Sequence, residues 1–161
     1  IGNIPYYLTS HLIQILLGLN PKPKLIILMV QKEVAARIVA HPGKLSILGL
    51  SVQIGADTEI AAAVSKNSFW PQPKVDSAIL RIEPKNKYPE LEDQKIFFRI
   101  VKAAFAGRRK QIHNTLSAGL NIPPARILDI LKSINLSPTL RPQDLSLGDW
   151  IALHGKLKSQ L

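Results

Sequence analysis

The chain has 161 residues, 46% of them hydrophobic, enough to bury a core in one ordinary domain or two small ones and too apolar for a disordered tail. It contains no cysteine, which excludes a disulfide scaffold and thiolate metal sites and fits a reducing compartment. The net charge of +10 is uneven: residues 1–83 carry eight Lys/Arg against five Asp/Glu (+3), and residues 84–161 carry thirteen against six (+7). That asymmetry suits a polyanion partner met mainly through the second half, although a basic surface without a task has the same composition. No run approaches the roughly 18 apolar residues of a membrane span. His11, His41, His113 and His154 are far apart and lack ligand spacing, so no metal is expected.

In chain order, "LTSHLIQILLGL" spaces Leu8, Leu12, Ile15, Leu16 and Leu19 as one helix face, with Thr9 or Ser10 available as a cap. "LIILMV" (25–30) has the length and β-branching of a strand buried on both faces. "QKEVAARIVA" follows at once as a helix stopped by "HPG", an order that predicts an α/β layer structure with a parallel sheet. "KLSILGLSVQIGA" reads as a short helix. "TEIAAAV" (58–64) and "DSAILRI" (76–82) read as strands around "SKNSFWPQPKV", a linker too rigid and aromatic for a simple hairpin turn.

"EPKNKYPELED" is a polar linker, which sets a domain boundary between residues 1–84 and 85–161. Beyond it the periodicity is helical. Ile96, Phe97, Ile100, Val101, Ala104 and Phe105 share an apolar face, with Lys95, Arg99 and Lys102 on another. "AGRRK" interrupts, Gly107 letting the chain turn, and Arg108, Arg109 and Lys110 project together as candidate phosphate contacts. "QIHNTLSAGL" continues as a helix. "PPARILDILKSI" opens with a first-turn proline and buries Ile127, Leu128, Leu131 and Ile134. "SLGDWIALHGKL" begins with Ser146 and Asp149 at capping-box spacing. The second half is a small helical bundle.

The chemistry concentrates in Asn3-Ile4-Pro5-Tyr6. Pro5 fixes its own φ and holds Ile4 extended, which sets the direction of the Ile4 carbonyl. With the Asn3 side-chain oxygen this makes two acceptors on one short segment, suited to an exocyclic amino group with two N–H bonds. Tyr6 offers a flat face for a flipped or unpaired base, worth about 1–3 kcal/mol. A ring on the rigid "FWPQPK" loop, Phe69, is the candidate for the base's other face. The same four residues also fit a strand end with a helix-starting asparagine and a core tyrosine.

"NIPYYLTS", "MVQKEVAARI", "GKLSILGLSVQ", "FWPQPKVDSAILRI", "AFAGRRKQIHNTL" and "RPQDLSLGDWIAL" occur in that order over nearly the whole chain. Together they resemble the small-subunit (16S) rRNA adenine N6,N6-dimethyltransferases of the KsgA type. The resemblance implies an enzyme transferring methyl groups from S-adenosylmethionine to N6 of two adjacent adenosines near the 3′ end of small-subunit rRNA during ribosome biogenesis. It implies the C-terminal half of a doubly wound, Rossmann-like class I methyltransferase domain (1–84), followed by a helical rRNA-binding domain (85–161). Carried over by position, Asn3 and the Ile4 carbonyl hold the amino group, Asn3 also faces the cofactor, Pro5 shapes the turn, and Tyr6 and Phe69 sandwich the base. Lys74, Arg108, Arg109 and Lys110 are the RNA contacts.

The same resemblance places the glycine-rich cofactor turn and the ribose-binding carboxylate upstream. The chain is therefore expected to be a fragment, inactive alone and without the main cofactor site. A cytoplasmic monomer acting on a 30S precursor, with no membrane and no metal, is the matching expectation. The related large-subunit enzyme of macrolide resistance shares NIPY and a "PKV" loop, but Asp76 and the "RPQDLSLGDWIAL" tail favour the small-subunit type. DNA and glutamine methyltransferases more typically have a second proline in place of Ile4. A non-catalytic RNA-binding assembly factor of the same fold stays open.

Overall fold

The computed structural model describes residues 1–88, 91 and 94–161. The chain forms two compact units, one from Ile1–Ala40 with Leu48–Tyr88, the other from His41–Ile47 with the described residues of Pro89–Leu161.

The first unit is built on strands β1 (Gly2–Asn3), β2 (Ile26–Gln31), β3 (Ala56–Val64) and β4 (Ser77–Pro84), in the order β1-β2-β4-β3. Helix α1 (Thr9–Gly18) connects β1 to β2, and that pair is parallel, with Asn3 opposite Met29. The expected parallel sheet holds only there. β4 runs antiparallel to both β2 and β3, because the loop after Val64 returns the chain directly, and a parallel return needs a crossover. A bulge between Ile60 and Ala62 interrupts the β3–β4 register.

Along β2 the buried residues alternate, Ile26, Leu28 and Val30 against the half-buried Ile27 and Met29. One face is thus fully covered and the other only partly, not both as the continuous apolar run suggests. Ile13 of α1, Ala35 and Ile38 of α2 (Lys32–Ile38) and Val52 of α3 (Ile47–Gln53) pack with Ala78, Leu80 and Ile82 on this core. Each large aliphatic side chain buried there stabilises by about 1.5–3 kcal/mol relative to exposure. α2 stops at Ile38, where the Gln53 amide donates to the carbonyls of Ile38 and Ala40 at 2.7 and 2.9 Å and satisfies two end groups.

Neither Thr9 nor Ser10 caps α1. A short 3₁₀ turn, Tyr6–Leu8, feeds straight into the helix, and the buried Thr9 hydroxyl finds no partner among the described residues.

Residues 85–88 stay with the first unit, four positions past the boundary drawn at 84. The Lys85 N–H donates to the Gly55 carbonyl at 2.8 Å, and both Lys85 (2.6 Å) and Lys87 pair with Asp57. Those two ammonium groups hydrogen-bond the Asp57 carboxylate and lower its pKa to about 2. Of the linker, Pro89, Glu90, Glu92 and Asp93 lie outside the described residues.

The second unit contains α4 (Gln94–Phe105), α5 (Ile112–Leu120), α6 (Pro124–Ser133) and α7 (Leu147–Leu157). Phe97, Ile100, Val101, Leu116, Ile127, Leu131, Trp150 and Leu153 are buried, and Phe105 stacks on Trp150 with ring centroids 5.8 Å apart. On α6, Ile130 is buried, whereas Leu128 is 40% exposed and Ile134 lies just past the helix, half buried. The Ser146–Asp149 capping box forms, with Asp149 N–H donating to Ser146 Oγ at 3.1 Å and Ser146 N–H to Asp149 Oδ2 at 2.8 Å. His41–Ile47 joins this unit because the N–H groups of Gly43 and Leu45 both donate to the Gln143 carbonyl, at 2.8 and 3.3 Å.

Candidate active site

Sheet register decides where the singled-out residues fall. β1 ends at Asn3, and Gln31, the end of β2, lies opposite Ser77, the start of β4, which in turn lies opposite Val64, the end of β3. All four strands therefore present one edge, the carboxyl edge of the parallel pair, where open α/β sheets bind ligands.

Asn3 is exposed on that edge and Ile4 follows half buried. Pro5 takes φ −54° and ψ 133°, an extended conformation, and its carbonyl accepts from the Leu8 N–H at 3.0 Å. The chain thus turns from strand to 3₁₀ turn across two residues, Ile4 and Pro5. Tyr6 is half buried, its hydroxyl 2.7 Å from Ser77 Oγ, and Ser77 itself is fully buried. The ring is tied to the first residue of β4, at the foot of the 65–76 loop.

That loop is held at several points. Ser65 Oγ accepts the Asn67 N–H at 3.2 Å, and the Gln72 amide donates to Asn67 Oδ1 at 2.7 Å. Asp76 joins the loop to α2: its Oδ1 accepts the Lys66 N–H at 3.1 Å, its Oδ2 lies 3.9 Å from Lys32 Nζ, and its carbonyl accepts the Lys32 N–H at 3.0 Å. Phe69 is half buried and Trp70 beside it 98% exposed. Lys74 is exposed and lines a cavity of about 540 Å³ with Lys32, Lys66, Glu33 and Asp76.

Asn3, Ile4, Pro5, Tyr6, Phe69 and Lys74 therefore share one edge of the first unit. Arg108, Arg109 and Lys110 belong to the second unit, exposed in the turn between α4 and α5, with no ion pair to a described residue. Gly107 does not serve that turn through a left-handed φ, which among the glycines only Gly43 has. It is small because a Cβ there would lie 3.0 Å from Thr115 Cγ2 and 3.2 Å from Lys110 Cδ. Sequence reasoning missed Ser77 and the bridging role of Asp76; both act through contacts distant in sequence, and no local signal marks them.

Among the described residues there is no group of three His, Asp or Glu that would hold a metal ion, and no helix long and apolar enough to cross a membrane.

The fold is a portion of the class I methyltransferase fold, with the Asn-Ile-Pro-Tyr turn on the carboxyl edge of its sheet. Residues 1–151 match the family described as ribosomal RNA adenine dimethylase, and the chain belongs to that family. It is 40% identical over 156 residues to the ribosomal RNA small subunit methyltransferase A of Desulfitobacterium hafniense (strain DSM 10664 / DCB-2), covering 95% of this chain and 56% of that protein. The protein of that name from Dehalococcoides mccartyi (strain CBDB1) is 37% identical over 151 residues, with 93% and 52% covered. Among solved structures, a dimethyladenosine transferase from Plasmodium falciparum superposes with a TM-score of 0.84 at 27% identity, covering 98% of this chain and 66% of that one. The 23S rRNA methyltransferase ErmE superposes with a TM-score of 0.73 at 26% identity, covering 98% and 64%. The chain spans about half the length of the curated relatives it matches.

Proposed function

We propose that the whole protein is an rRNA adenine N6,N6-dimethyltransferase acting on two adjacent adenosines near the 3′ end of small-subunit rRNA, and that this chain supplies its target-base site and rRNA-binding domain. The observation that carries the reading is the Asn3–Tyr6 turn, exposed at Asn3 and anchored at Tyr6 through Ser77 beneath the Phe69 loop.

S-adenosylmethionine, when bound, supplies an electrophilic methyl group. An exposed amide at the carboxyl end of β1 fits a place beside such a cofactor, and Asn3 is the one residue of this chain to which we assign that contact. The glycine turn and ribose carboxylate belong to sequence outside these 161 residues.

The chain's own residues orient the nucleophile. Asn3 Oδ1 and the Ile4 carbonyl accept the two N–H bonds of the adenine amino group, keeping electron density on N6 and aiming its lone pair outward. Tyr6 and Phe69 hold the base between two rings, and Pro5 fixes the turn that separates the two acceptors. Orientation rather than a strong base is the protein's contribution. The amino proton passes to solvent after transfer.

Lys74 and the Arg108–Lys110 cluster hold rRNA phosphates, and residues 1–84 and 85–161 divide into catalytic and RNA-binding parts. The protein acts as a cytoplasmic, metal-free monomer on a 30S precursor. The relatives named for the small subunit favour this over a large-subunit substrate. Methyl transfer by the full-length protein to 30S particles, with naked rRNA and 50S particles compared, tests the reading. Preference for 50S particles would move it to the large-subunit class, and no transfer to any of the three would leave only an assembly factor.

A further inference from the structure

From Gln94 to Leu128 the chain contains no Asp or Glu and seven Lys/Arg: Lys95, Arg99, Lys102, Arg108, Arg109, Lys110 and Arg126. The other residues of 84–161 carry six of each sign (13 − 7 = 6 against 6), so the whole excess of that half sits in this stretch. Only three of the seven belong to the α4–α5 turn.

Lys95, Arg99 and Lys102 fall at i, i+4 and i+7 of α4, one stripe of the helix spanning about 10 Å of axis. The three cations line a groove of about 590 Å³ with Phe98, Ala103 and Gly119. The α4–α5 approach there is close, since a Cβ on Gly119 would fall 2.7 Å from Ala103 Cβ. Phe98 is half buried and held edge-to-face against the core residue Phe97, centroids 5.2 Å apart. Arg99 sends one N–H to the Leu161 carbonyl at 3.5 Å, one of five donors on its guanidinium.

Like charges at i and i+4 on a helix cost a few tenths of a kcal/mol, and a solvated face ordinarily interleaves acids. This one has none. Clustered cations around one aromatic ring are the elements of a single-strand nucleic-acid site, in which the backbone follows the charges and a base stacks on the ring. We propose that the α4 groove holds an unpaired nucleotide of the rRNA, its flanking phosphates on Lys95, Arg99 and Lys102 and its base on Phe98. The inference rests on the RNA-binding reading above and extends the footprint from the Arg108–Lys110 turn along the side of α4. An acidic protein segment would pair with Arg99 and Lys102 but has no use for Phe98.

The test is fluorescence anisotropy of the full-length protein with a single-stranded RNA of about 12 nucleotides, measured over a salt series, with polyglutamate as competitor. Arg99→Gln/Lys102→Gln should weaken binding and lower the salt slope by about 1.4, near 0.7 per lost contact. The charge-preserving Arg99→Lys/Lys102→Arg should keep the slope. Phe98→Leu should cost about tenfold in affinity with the slope unchanged, and Phe98→Tyr should restore it. Wild-type affinity in Arg99→Gln/Lys102→Gln, beside a loss in Arg108→Ala/Arg109→Ala, would overturn the groove and leave the RNA reading standing. Loss in neither pair would overturn the RNA reading itself. Wild-type affinity in Phe98→Leu would remove the stacked base. Polyglutamate binding as tight as RNA, and lost in Arg99→Gln/Lys102→Gln, would assign the groove to an acidic protein instead.

Discussion

The Tyr6 hydroxyl and Ser77 Oγ lie 2.7 Å apart across 71 positions of sequence, and Ser77 is wholly buried. The ring assigned to the target base is therefore fastened to the β-sheet. Tyr6→Phe keeps the aromatic face but strips a buried hydroxyl of its partner, a loss of about 1–3 kcal/mol. Thermal melting should show that loss, with methyl transfer by the full-length enzyme retained in large part. Tyr6→Phe/Ser77→Ala should recover part of the stability, and Tyr6→Ala should lose both stability and turnover. Equal melting temperatures for wild type and Tyr6→Phe would show that the hydroxyl pair contributes nothing.

Asn3 is exposed and in the last position of β1, so Asn3→Ala should leave the melting temperature within a degree or two while removing most methyl transfer by the full-length protein. Phe69→Ala should lower turnover in the same direction through lost stacking, about 1–3 kcal/mol. Wild-type rates on 30S particles in Asn3→Ala would end the amino-holding role.

For Arg108 and Arg109 the readout is ionic strength. Both are exposed, and neither side chain belongs to the apolar face of Phe97, Val101 and Phe105. Arg108→Ala/Arg109→Ala should weaken binding to small-subunit rRNA and flatten its salt dependence by about 0.7–0.9 for each lost contact, without moving the melting temperature. An unaltered slope would make the turn a solvated corner.

Gly119 stands against Ala103 so closely that an added Cβ would come within 2.7 Å of Ala103 Cβ and 3.0 Å of its Cα. Backbone cannot move aside as a flexible side chain would. Gly119→Ala should therefore destabilise by about 1–3 kcal/mol, and Ala103→Gly in the same chain should give much of that back. Additive effects in a double-mutant cycle would show that the two positions do not compete for space.

The Asp57 carboxylate is held at about 2 by the hydrogen bonds of Lys85 and Lys87, below its unfolded value of 3.8. A depressed acid contributes stability above the unfolded pKa and loses it as pH falls through the folded one. The advantage of wild type over Asp57→Asn should thus be full above about pH 4 and vanish near pH 2. Asp57 is 44% exposed, so screening keeps the gain under about 1 kcal/mol. Melting curves of both proteins at pH 5, 3 and 2 check it; a gap that widens on acidification would reverse the sign.

What the sequence discloses follows the range of the interactions. β2 is legible because a β-branched run between breakers leaves little else for residues 26–31, and the Ser146–Asp149 box because its partners are three positions apart. Strand direction is not legible: alternation in β4 reports which face is buried, and says nothing of whether β2 runs beside it parallel or antiparallel. The same holds for Leu128 and Ile130, two apolar residues on one helix, of which only the neighbouring helices choose the buried one. In the candidate site the Asn3–Tyr6 turn and Phe69 are legible as candidates, since proline rigidity and aromatic rings act locally. Ser77 and Asp76 are not, because a hydroxyl and a carboxylate acquire their roles only when Tyr6, Lys32 and Lys66 are brought to them.

The bond pair from Gly43 and Leu45 to the Gln143 carbonyl bears on the order in which the protein matures at the ribosome. Residues 43 and 45 are claimed by a residue synthesised about a hundred positions later. Until Gln143 emerges, the N–H groups of Gly43 and Leu45 lack their acceptor. The reverse holds for dissection by genetic means: a second unit begun at residue 89 lacks seven of its own residues, and a first unit ended at 88 carries seven that belong elsewhere. The two units are separable as folded bodies of contacts but not by a single cut in the gene.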